Sequence, residues 1–513
     1  METARLLQKE NTFLKEEIAD KTGQLHAKNT YIKQLEELIQ SFKQKQFGSS
    51  SEKHNPAQRH LFNEAEESEE KASQDNNATL EEAITVSSHA RKKKPRISIP
   101  DDIPSEDIVY DLPESEKFCP HDGTALRHIG NEIHKQLDVI PTQVKAINHI
   151  RKKYACPCCE QHMATAQKPK QPIEKSIASP GLLSYIAVNK YCDHLPLYRQ
   201  SEIFKRLGIQ MDRGNMASWV IKSGELIQPL INLIHESILE QPVIHMDETP
   251  LQVLNEPNKT AQSKSYMWLL ASFTQQPAIL FHYSPTRSGS VATELLQDYS
   301  KALMVDGYQG YQAVCNKNKL QRQGCWAHAR RKFMDAQKLQ PKGTTGKANQ
   351  AIAFIQKLYV IEKRIKELPP DKRYEIRQKD SKPIIDKIRI WMDKGIDSVP
   401  PKMAIGKALY YLHEQWQRLI RFLDDGHYPI DNNLAENAIR PFTLGRKNWL
   451  FSTSQAGAKA SANLYSLIET AKANGINPYN YLKEVFTVLP NAAIVEDVEK
   501  LLPWNYKEGL EQK

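Results

Sequence analysis

The chain has no long hydrophobic run. None of its apolar stretches approaches the roughly 20 residues that a membrane-spanning helix requires, and its polar N-terminus lacks the apolar core of a signal peptide. Cysteine is also scarce: there are seven in 513 residues, an odd number, and four of them lie between Cys119 and Cys159. This pattern argues against a disulfide framework and favours reduced thiols. We therefore expect a cytoplasmic protein with no membrane partner.

Length and charge indicate several folded units and an acidic partner. At 513 residues the chain exceeds what one hydrophobic core normally supports, so three or four units are expected. The net charge of +9 is modest, but basic residues cluster at Arg91–Arg96 and Arg151–Lys153. Such clusters suit a polyanion such as DNA, although each one alone is more simply explained as a solvated tail or face.

Residues 1–47 have the pattern of a coiled coil, or leucine zipper. Eight of eleven seam positions, taken at alternating steps of four and three, are apolar; the seam is Leu7, Asn11, Leu14, Ile18, Lys21, Leu25, Lys28, Ile32, Leu35, Ile39 and Phe42. This seam predicts a homo-oligomer, and the alternative is one amphipathic helix lying on its own domain. Residues 48–108 are rich in charge and poor in large apolar residues, which predicts a disordered linker.

Residues 109–165 have the plan of a zinc ribbon. Two groups of metal-ligand residues are separated by a span that is predicted to be β-rich, such as Gln136–Ile150. The first group offers Cys119 with either His121 or Asp122, and in the second group Cys158 competes as a ligand. The predicted ligands of one structural Zn²⁺ are Cys119, His121, Cys156 and Cys159. The alternative is a degenerate ribbon held together by packing alone.

Residues 175–240 are predicted to be a helical region with a helix-turn-helix. Helical patterns over Gly181–Tyr191 and Leu197–Leu207 are followed by a glycine turn and a helix that begins near Asp212. The second helix of such a motif presents residues near its N-terminus to the major groove of DNA, and here these include Arg213 and Asn215. Purely structural helical hairpins share this arrangement, so both alternatives stay open.

Two short apolar runs further along the chain end in an acid. Val243–Asp247 and Ala302–Asp306 each have the pattern of a buried strand that delivers a carboxylate to the end of a sheet. Two further strand candidates lie between them, Tyr266–Ala271 and Ala278–Tyr283, and a helix is predicted at Val291–Tyr299. This order is typical of a ribonuclease-H-like α/β fold.

A third acid, Glu436, lies in a segment whose apolar residues recur at helical spacing. Two strands and a helix can bring Asp247, Asp306 and Glu436 together, and three convergent carboxylates repel one another unless hard cations neutralise them. The pattern therefore predicts a divalent-metal site for phosphoryl transfer. The alternative is that the acids are ordinary turn and surface residues. Glu248 should point to the opposite side of the strand from Asp247 and is not expected to be a ligand.

Four phrases of the sequence resemble the DDE transposases of bacterial insertion sequences, specifically the insertion sequence 66 family. They are His245-Met-Asp-Glu-Thr-Pro250, Val305-Asp-Gly-Tyr-Gln-Gly-Tyr311, Gly324-Cys-Trp-Ala-His-Ala-Arg-Arg-Lys-Phe333 and Asn432-Asn-Leu-Ala-Glu-Asn-Ala-Ile-Arg-Pro441. The resemblance extends to the coiled-coil and cysteine regions, so it covers nearly the whole chain.

The resemblance implies a multidomain α/β protein with a ribonuclease-H-like catalytic domain at residues 241–478. The long gap before Glu436 is filled by charged, helix-forming sequence, which predicts a helical insertion at about residues 346–424, and a helical tail follows at residues 479–513. The three acids would be catalytic and would hold two Mg²⁺ or Mn²⁺ ions. No serine or tyrosine nucleophile motif is convincing, which fits a reaction without a covalent protein intermediate.

The implied substrate is DNA, both transposon ends and target, with the protein acting on bacterial DNA. Further DNA contacts are expected from His328, Arg331, Arg440, Arg446 and Lys447. Trp449 either stacks on an unpaired base or is buried. The pair Cys325 and His328 has a metal-ligand spacing, but no second pair is near in sequence, which favours a structural role. Small companion proteins are further candidate partners. The open alternatives are a nuclease of the same fold without strand transfer and a catalytically dead DNA-binding protein.

Overall fold

The computed structural model describes residues 2–47, 143–155, 163–274, 276–340 and 346–506. They belong to two units, one of residues 78–166 and one of residues 1–77 with 167–513. The predicted linker and the predicted zinc ligands Cys119, His121, Cys156 and Cys159 lie outside the described residues. Within the described ranges, no helix combines the length and the apolar character needed to cross a bilayer.

Helix α1 runs from Glu2 to Phe47, as the seam pattern predicts. Its apolar seam is exposed in the single chain at Leu14, Ile18, Leu25, Ile32, Leu35, Ile39 and Phe42. The described part of the chain leaves this stripe exposed, although the same helix contacts α12 (Ala404–Leu419), where the Ala404 N–H donates to the Glu37 carboxylate at 3.2 Å. Self-association through α1 stays a prediction.

The smaller unit contains one described hairpin. Strands β1 (Lys153–Ala155) and β2 (Met163–Thr165) are antiparallel, with Ala155 opposite Met163. Residues 143–150 have no regular secondary structure, so the described part of the span that was predicted to be β-rich contains no strand. The strands lie instead on either side of residues 156–162, because a strand needs a partner and the short connection supplies the nearest one.

In the part of the chain described after residue 163, four helices precede the sheet of the larger unit: α2 (Pro180–Tyr191), α3 (Leu197–Arg206), α4 (Arg213–Leu226) and α5 (Gln228–Glu240). Local chemistry sets these boundaries and explains why they match the sequence pattern. The Ser179 and Asp212 side chains accept backbone N–H groups at the starts of α2 and α4. Gly208 follows α3 with φ of 80°, a left-handed conformation that glycine adopts without strain.

A six-stranded mixed sheet forms the centre of the larger unit. Its strands are β3 (Val243–Asn255), β4 (Lys264–Ser272), β5 (Ala278–Ser284), β6 (Ala302–Met304), β7 (Gln321–Gln323) and β8 (Ser452–Ser454). The order is β5-β4-β3-β6-β7. The pairs β5–β4 and β4–β3 are antiparallel, and the pairs β3–β6 and β6–β7 are parallel. Strand β8 pairs in parallel with the C-terminal end of β3. Four strands overlap the predicted ones, but β3 continues to Asn255 because it keeps pairing with β4, so Asp247 lies within the strand rather than at its end. The other two were missed because they are three residues long and polar.

The segments that connect β5, β6 and β7 are short helices. Helix α6 (Gly289–Leu296) ends earlier than predicted because Gln297 takes a left-handed φ of 46°. Strand β6 stops at Met304, so Asp306 lies in the loop after the strand rather than at its end. A 3₁₀ turn and helix α7 (Gln312–Lys317) lead on to β7.

A second hydrophobic core lies between β7 and the helix that carries Glu436. It is built from α8 (Trp326–Lys338), α9 (Lys347–Ile365), α11 (Lys382–Ile396) and α12 (Ala404–Leu419). The short helix α10 (Pro370–Ile376) precedes α11 and buries none of its residues. Helices dominate residues 347–423 as the composition predicts. The core itself begins earlier than residue 346, because Trp326, Ala329 and Phe333 of α8 are buried in it.

The last helices complete the main core. They are α13 (Asn433–Trp449), α14 (Gln455–Ala473), α15 (Pro478–Val488) and α16 (Val495–Glu499). Helix α15 was predicted to belong to a C-terminal tail, but Tyr481, Leu482, Val485 and Phe486 are fully buried in the same core as the sheet. The apolar residues of α15 recur at helical spacing, so packing against that core buries one whole stripe of the helix.

Helix α14 also closes the free edge of the sheet. Among the described residues, strand β5 has no strand partner on its outer side. There the Ile279 and Phe281 N–H groups donate to the Thr470 and Ser466 hydroxyls at 3.0 and 2.7 Å. The Thr470 hydroxyl in turn lies 3.0 Å from the Ile279 carbonyl oxygen. A buried edge strand is thus satisfied by side chains in place of another strand.

We expect Thr470→Val to destabilise the protein by about 1–3 kcal/mol, because the shape is kept while the buried Ile279 N–H loses its acceptor. Thr487→Val on α15 is the matched control, since that hydroxyl donates to the Lys483 carbonyl oxygen of its own helix at an exposed position, and its effect should stay within about 0.5 kcal/mol. Urea unfolding followed by tryptophan fluorescence measures both. Equal midpoints for the two variants would contradict this role of Thr470.

Candidate active site

Asp247 lies on β3, just beyond the last residue of β3 that pairs with β6. Its Oδ1 accepts the Glu248 N–H at 2.9 Å, which fixes the orientation of the carboxylate. Burial raises the pKa of Asp247 well above its ordinary value, and the charges of Glu248, Glu436 and Asp306 raise it further. The three acids singled out in the sequence therefore lie within electrostatic reach of one another.

Asp306 is held by the loop that follows β6. Its Oδ1 accepts the Tyr308 N–H at 2.8 Å. The buried Arg322 side chain of β7 donates to the carbonyl oxygens of Asp306 and Tyr308 at 2.9 and 2.8 Å. Strand β7 is polar because it carries this buried arginine, which holds the Asp306 loop in place. A search for hydrophobic patterns in the sequence therefore does not find the strand.

Glu436 occupies the first turn of α13 and is only 6% exposed. Its Oε2 accepts a hydrogen bond from Arg331 at 3.1 Å, and the Nδ1 of His328 lies 3.5 Å from its Oε1. Burial lowers the pKa of His328, which favours the neutral ring. Two residues that the sequence suggested as DNA contacts thus lie beside the third acid, and both come from α8.

Asn432 fastens the start of α13 to the strand that carries Asp247. Its Nδ2 donates to the Met246 carbonyl oxygen at 3.0 Å, so its Oδ1 is the acceptor for His245 Nδ1 at 2.8 Å. Its own N–H donates to the Cys325 sulfur at 3.3 Å. Burial lowers the pKa of His245 to about 4, so the ring is neutral at physiological pH and donates through Nδ1. This link sets the position of Glu436 relative to Asp247.

Glu248 takes part in a cluster that the sequence did not indicate. Its Oε1 accepts from Arg287 Nε at 2.7 Å, and its Oε2 accepts from the Tyr311 hydroxyl. The Arg287 guanidinium lies 3.9 Å from the centre of the Tyr308 ring. Burial raises the pKa of Glu248, while these partners oppose the rise. Glu248 therefore connects β3 to the Asp306 loop, and the two tyrosines of the Val305–Tyr311 phrase gain a structural role.

The remaining predicted DNA contacts differ in accessibility. Arg213 and Asn215 are exposed in the first turn of α4, and Lys447 is exposed near the end of α13. Arg440 is half-buried one turn after Glu436. The Arg446 side chain binds β3 instead, because it donates to the Thr249 hydroxyl at 2.9 Å and to the Pro250 carbonyl oxygen. A pattern of basic residues on a helix does not reveal which of them serve the fold.

Trp449 is packed rather than free to stack on a base. Its ring lies 5.5 Å from that of Phe442, and Lys190 Nζ lies 5.5 Å from the Trp449 ring. The same lysine also lies over Tyr191. Burial lowers the pKa of Lys190 to about 8. The side chain of Trp449 therefore packs against the main core at the end of α13, which agrees with the alternative that this residue is buried.

Protein-family models match most of the chain. A family model described as "Transposase IS66 family" matches residues 175–460, and "IS66 C-terminal element" matches residues 466–504. These segments contain the whole sheet and all three acids, so the class is transposase. A "zinc-finger binding domain of transposase IS66" matches residues 116–160, and "Transposase C of IS166 homeodomain" matches residues 34–108. The chain belongs to the insertion sequence 66 family of transposases.

Curated relatives come from Sinorhizobium fredii. The uncharacterized protein y4qI is 33% identical over 392 residues, which is 74% of this chain and 72% of the relative. The uncharacterized protein y4jD is 31% identical over 424 residues, or 80% of this chain and 81% of the relative. No solved structure matches the chain. The family membership confirms the resemblance seen in the sequence.

We expect Asn432→Ala to lower the free energy of unfolding by about 2 kcal/mol, because the Met246 carbonyl oxygen and the His245 N–H would remain buried without partners. Asn437→Ala is the matched control on the same helix, since Asn437 is exposed, and it should change stability by no more than about 0.5 kcal/mol. Chemical denaturation compares the two. A loss no larger than that of the control would show that the link does not hold α13 in place.

Proposed function

We propose that this protein is a DDE transposase that cleaves DNA at the ends of an insertion sequence and joins the freed ends to target DNA. Asp247, Asp306 and Glu436 are the proposed catalytic residues. The observation that carries the proposal is that these acids come together from a strand, a loop and a helix that are far apart in the sequence. Burial raises the pKa of Asp247, and the nearby charges of Glu436 and Asp306 add to the rise. Membership of the transposase family supports the choice of DNA as substrate.

The proposed fold of this domain is ribonuclease-H-like. Three antiparallel strands with two parallel strands beside the first of them support it, since this is the arrangement that the order of elements in the sequence predicts. The acids lie on the first strand, after the fourth strand and on a later helix. The second hydrophobic core between β7 and α13 is the proposed helical insertion.

The acids fit a hard divalent cation. All three offer carboxylate oxygens, the donors that Mg²⁺ and Mn²⁺ prefer, and each aspartate uses Oδ1 for a backbone N–H, which fixes the carboxylate plane. The buried Oε1 of Glu436 has no hydrogen-bond partner among the described residues. Two ions bound here would activate the attacking hydroxyl group and stabilise the leaving oxygen of an in-line displacement.

The surrounding residues have separate proposed tasks. Arg331 balances the charge of Glu436 and, with Arg440, lies where a DNA phosphate would approach the acids. The exposed Arg213 and Asn215 at the start of α4 are proposed to read the major groove. The zinc ribbon, with Cys119, His121, Cys156 and Cys159 as proposed ligands, would add a further DNA-binding surface, with His328 and Lys447 as additional contacts.

We expect Asp306→Asn to abolish Mg²⁺-dependent nicking of DNA that carries the element's ends, by a factor on the order of 10³ or more, because one ligand charge is removed while the shape is kept. DNA affinity should survive. Asp298→Asn is the matched control, since Asp298 is exposed on the neighbouring loop, and it should nick normally.

A second assay uses precut ends with free 3′ hydroxyls and a target plasmid. Joining by the wild type and not by Asp306→Asn supports a transposase. Nicking without joining would make the protein a nuclease of the same fold. Equal nicking by wild type and Asp306→Asn would refute the proposed site, and DNA binding without nicking by either protein would favour a dead site or a missing companion protein.

We also propose that α1 assembles the protein into a homo-oligomer through its exposed seam. Leu25→Glu with Ile32→Glu should convert the protein to a monomer, because charges would then face one another across the seam. Gln24→Glu with Lys33→Glu is the control, since it places charges at positions beside the seam. Sedimentation velocity reports the mass. A wild-type monomer, or an oligomer that survives the seam variant, would refute this assembly.

A further inference from the structure

Three potential metal ligands of different chemistry meet beside α8. The Cys325 sulfur, a ring nitrogen of His328 and a carboxylate oxygen of Glu436 all lie within 4.8 Å of one another. Two of these atoms, His328 Nδ1 and Glu436 Oε1, are buried and have no hydrogen-bond partner among the described residues. They lie 3.5 Å apart. Buried polar atoms are normally satisfied, so this pair points to a group that binds between them.

The first two ligands are held rigidly. Cys325 immediately precedes α8 and His328 lies in its first turn, three residues later. Trp326 between them is fully buried, and its Nε1 donates to the Leu419 carbonyl oxygen at 2.8 Å. The Asn432 N–H donates to the Cys325 sulfur at 3.3 Å, as backbone N–H groups often do to metal-bound thiolates. This anchoring limits the cost of ordering the ligands when an ion binds.

We propose that Cys325, His328 and Glu436 form a binding site for a divalent transition-metal ion of the zinc type. The set of sulfur, nitrogen and oxygen donors is the reason, because Zn²⁺ accepts all three, whereas Mg²⁺ prefers oxygen ligands alone. In a tetrahedral zinc complex such donors lie about 3.3 to 3.8 Å apart, so the ligands need to close by about 1.5 Å at most. A fourth position would hold water or a substrate oxygen.

Binding at this site is balanced in charge and protons. The thiol of Cys325 loses its proton to solvent as the sulfur–metal bond forms, the His328 ring binds in its neutral state, and Glu436 binds as the carboxylate. The two anionic ligands neutralise a divalent ion. Arg331 can keep its hydrogen bond to the other oxygen of Glu436.

The position of this site implies that a bound zinc ion would inhibit the proposed catalysis. Glu436 is shared between this site and the proposed catalytic carboxylates, so a zinc ion on its Oε1 would withdraw that oxygen from the magnesium site. Metal binding by the three residues stands independently of the catalytic proposal. The inhibition rests on the proposed function, and therefore binding and inhibition are tested separately.

The binding test compares the full-length wild type with Cys325→Ser after equilibration in zinc-buffered solution. We expect the wild type to hold one more zinc ion per chain than Cys325→Ser, and its cobalt-loaded form to show additional thiolate-to-cobalt absorption. Ions bound by the zinc ribbon are common to both proteins and cancel in the difference. Cys315→Ser is the matched control, because Cys315 is another buried free thiol that lies outside this cluster, and it should match the wild type.

If Cys325→Ser does not fold, His328→Gln serves in its place, since the His328 side chain is 26% exposed and tolerates substitution more readily. Equal zinc content and equal cobalt spectra in the wild type and the folded ligand variant would overturn the proposal. Loss of the extra ion in Cys315→Ser as well would also overturn it, because the effect would then not belong to this cluster.

The inhibition test measures magnesium-dependent nicking against added Zn²⁺, each variant relative to its own zinc-free rate. The zinc concentration for half inhibition should rise at least about tenfold in Cys325→Ser, since even ligand-supporting residues contribute about 10- to 100-fold to affinity. Unchanged sensitivity together with lost zinc binding would refute the inhibitory role and leave the site intact. Absence of nicking in every protein would count against the proposed function and not against the zinc site.

Discussion

The cost of holding carboxylates close together away from water is the constraint on which the structure around the site depends. Burial raises the pKa of Asp247, and the charges of Glu248, Glu436 and Asp306 raise it further. Each acid is therefore held by a specific donor: a backbone N–H for each aspartate and Arg331 for Glu436. Without these anchors, the acids would relax away from one another into solvent.

The elements that bear the acids are tied together by polar links rather than by hydrophobic contacts alone. Asn432 fastens the start of α13 to β3, Arg322 pins the Asp306 loop, and Glu248 connects β3 to the same loop through Tyr311. Buried polar links are directional, so they fix positions more narrowly than apolar packing does. Thr470 plays the same part at the sheet edge.

Helix α8 connects the second hydrophobic core to the site. One of its faces buries Trp326 and Phe333 among the inserted helices, while His328 and Arg331 face Glu436. A change in the packing of the second hydrophobic core would therefore shift His328 and Arg331 relative to Glu436. The second hydrophobic core thus also supports the position of Glu436.

Much of the local structure could be read directly from the chain. The strand with Asp247, the helices around Gly208 and the long helix α1 lie where periodicity and capping residues predict them, because those signals act over a few residues. Strands β7 and β8 were missed because short polar strands carry no such signal. The helix after β5 was placed too far along because its end depends on one left-handed residue, Gln297.

The sequence by itself determined the family, the three acids and most of the helices and strands, since motifs and hydrophobic patterns are properties of neighbouring residues. The tertiary structure alone decided what surrounds each acid. Cys325 and His328 had no metal-binding partner within their own segment, and the fold supplies Glu436 from a helix more than one hundred residues later. Contacts between segments so far apart depend on how the whole chain packs, and a pattern along the chain cannot encode them visibly.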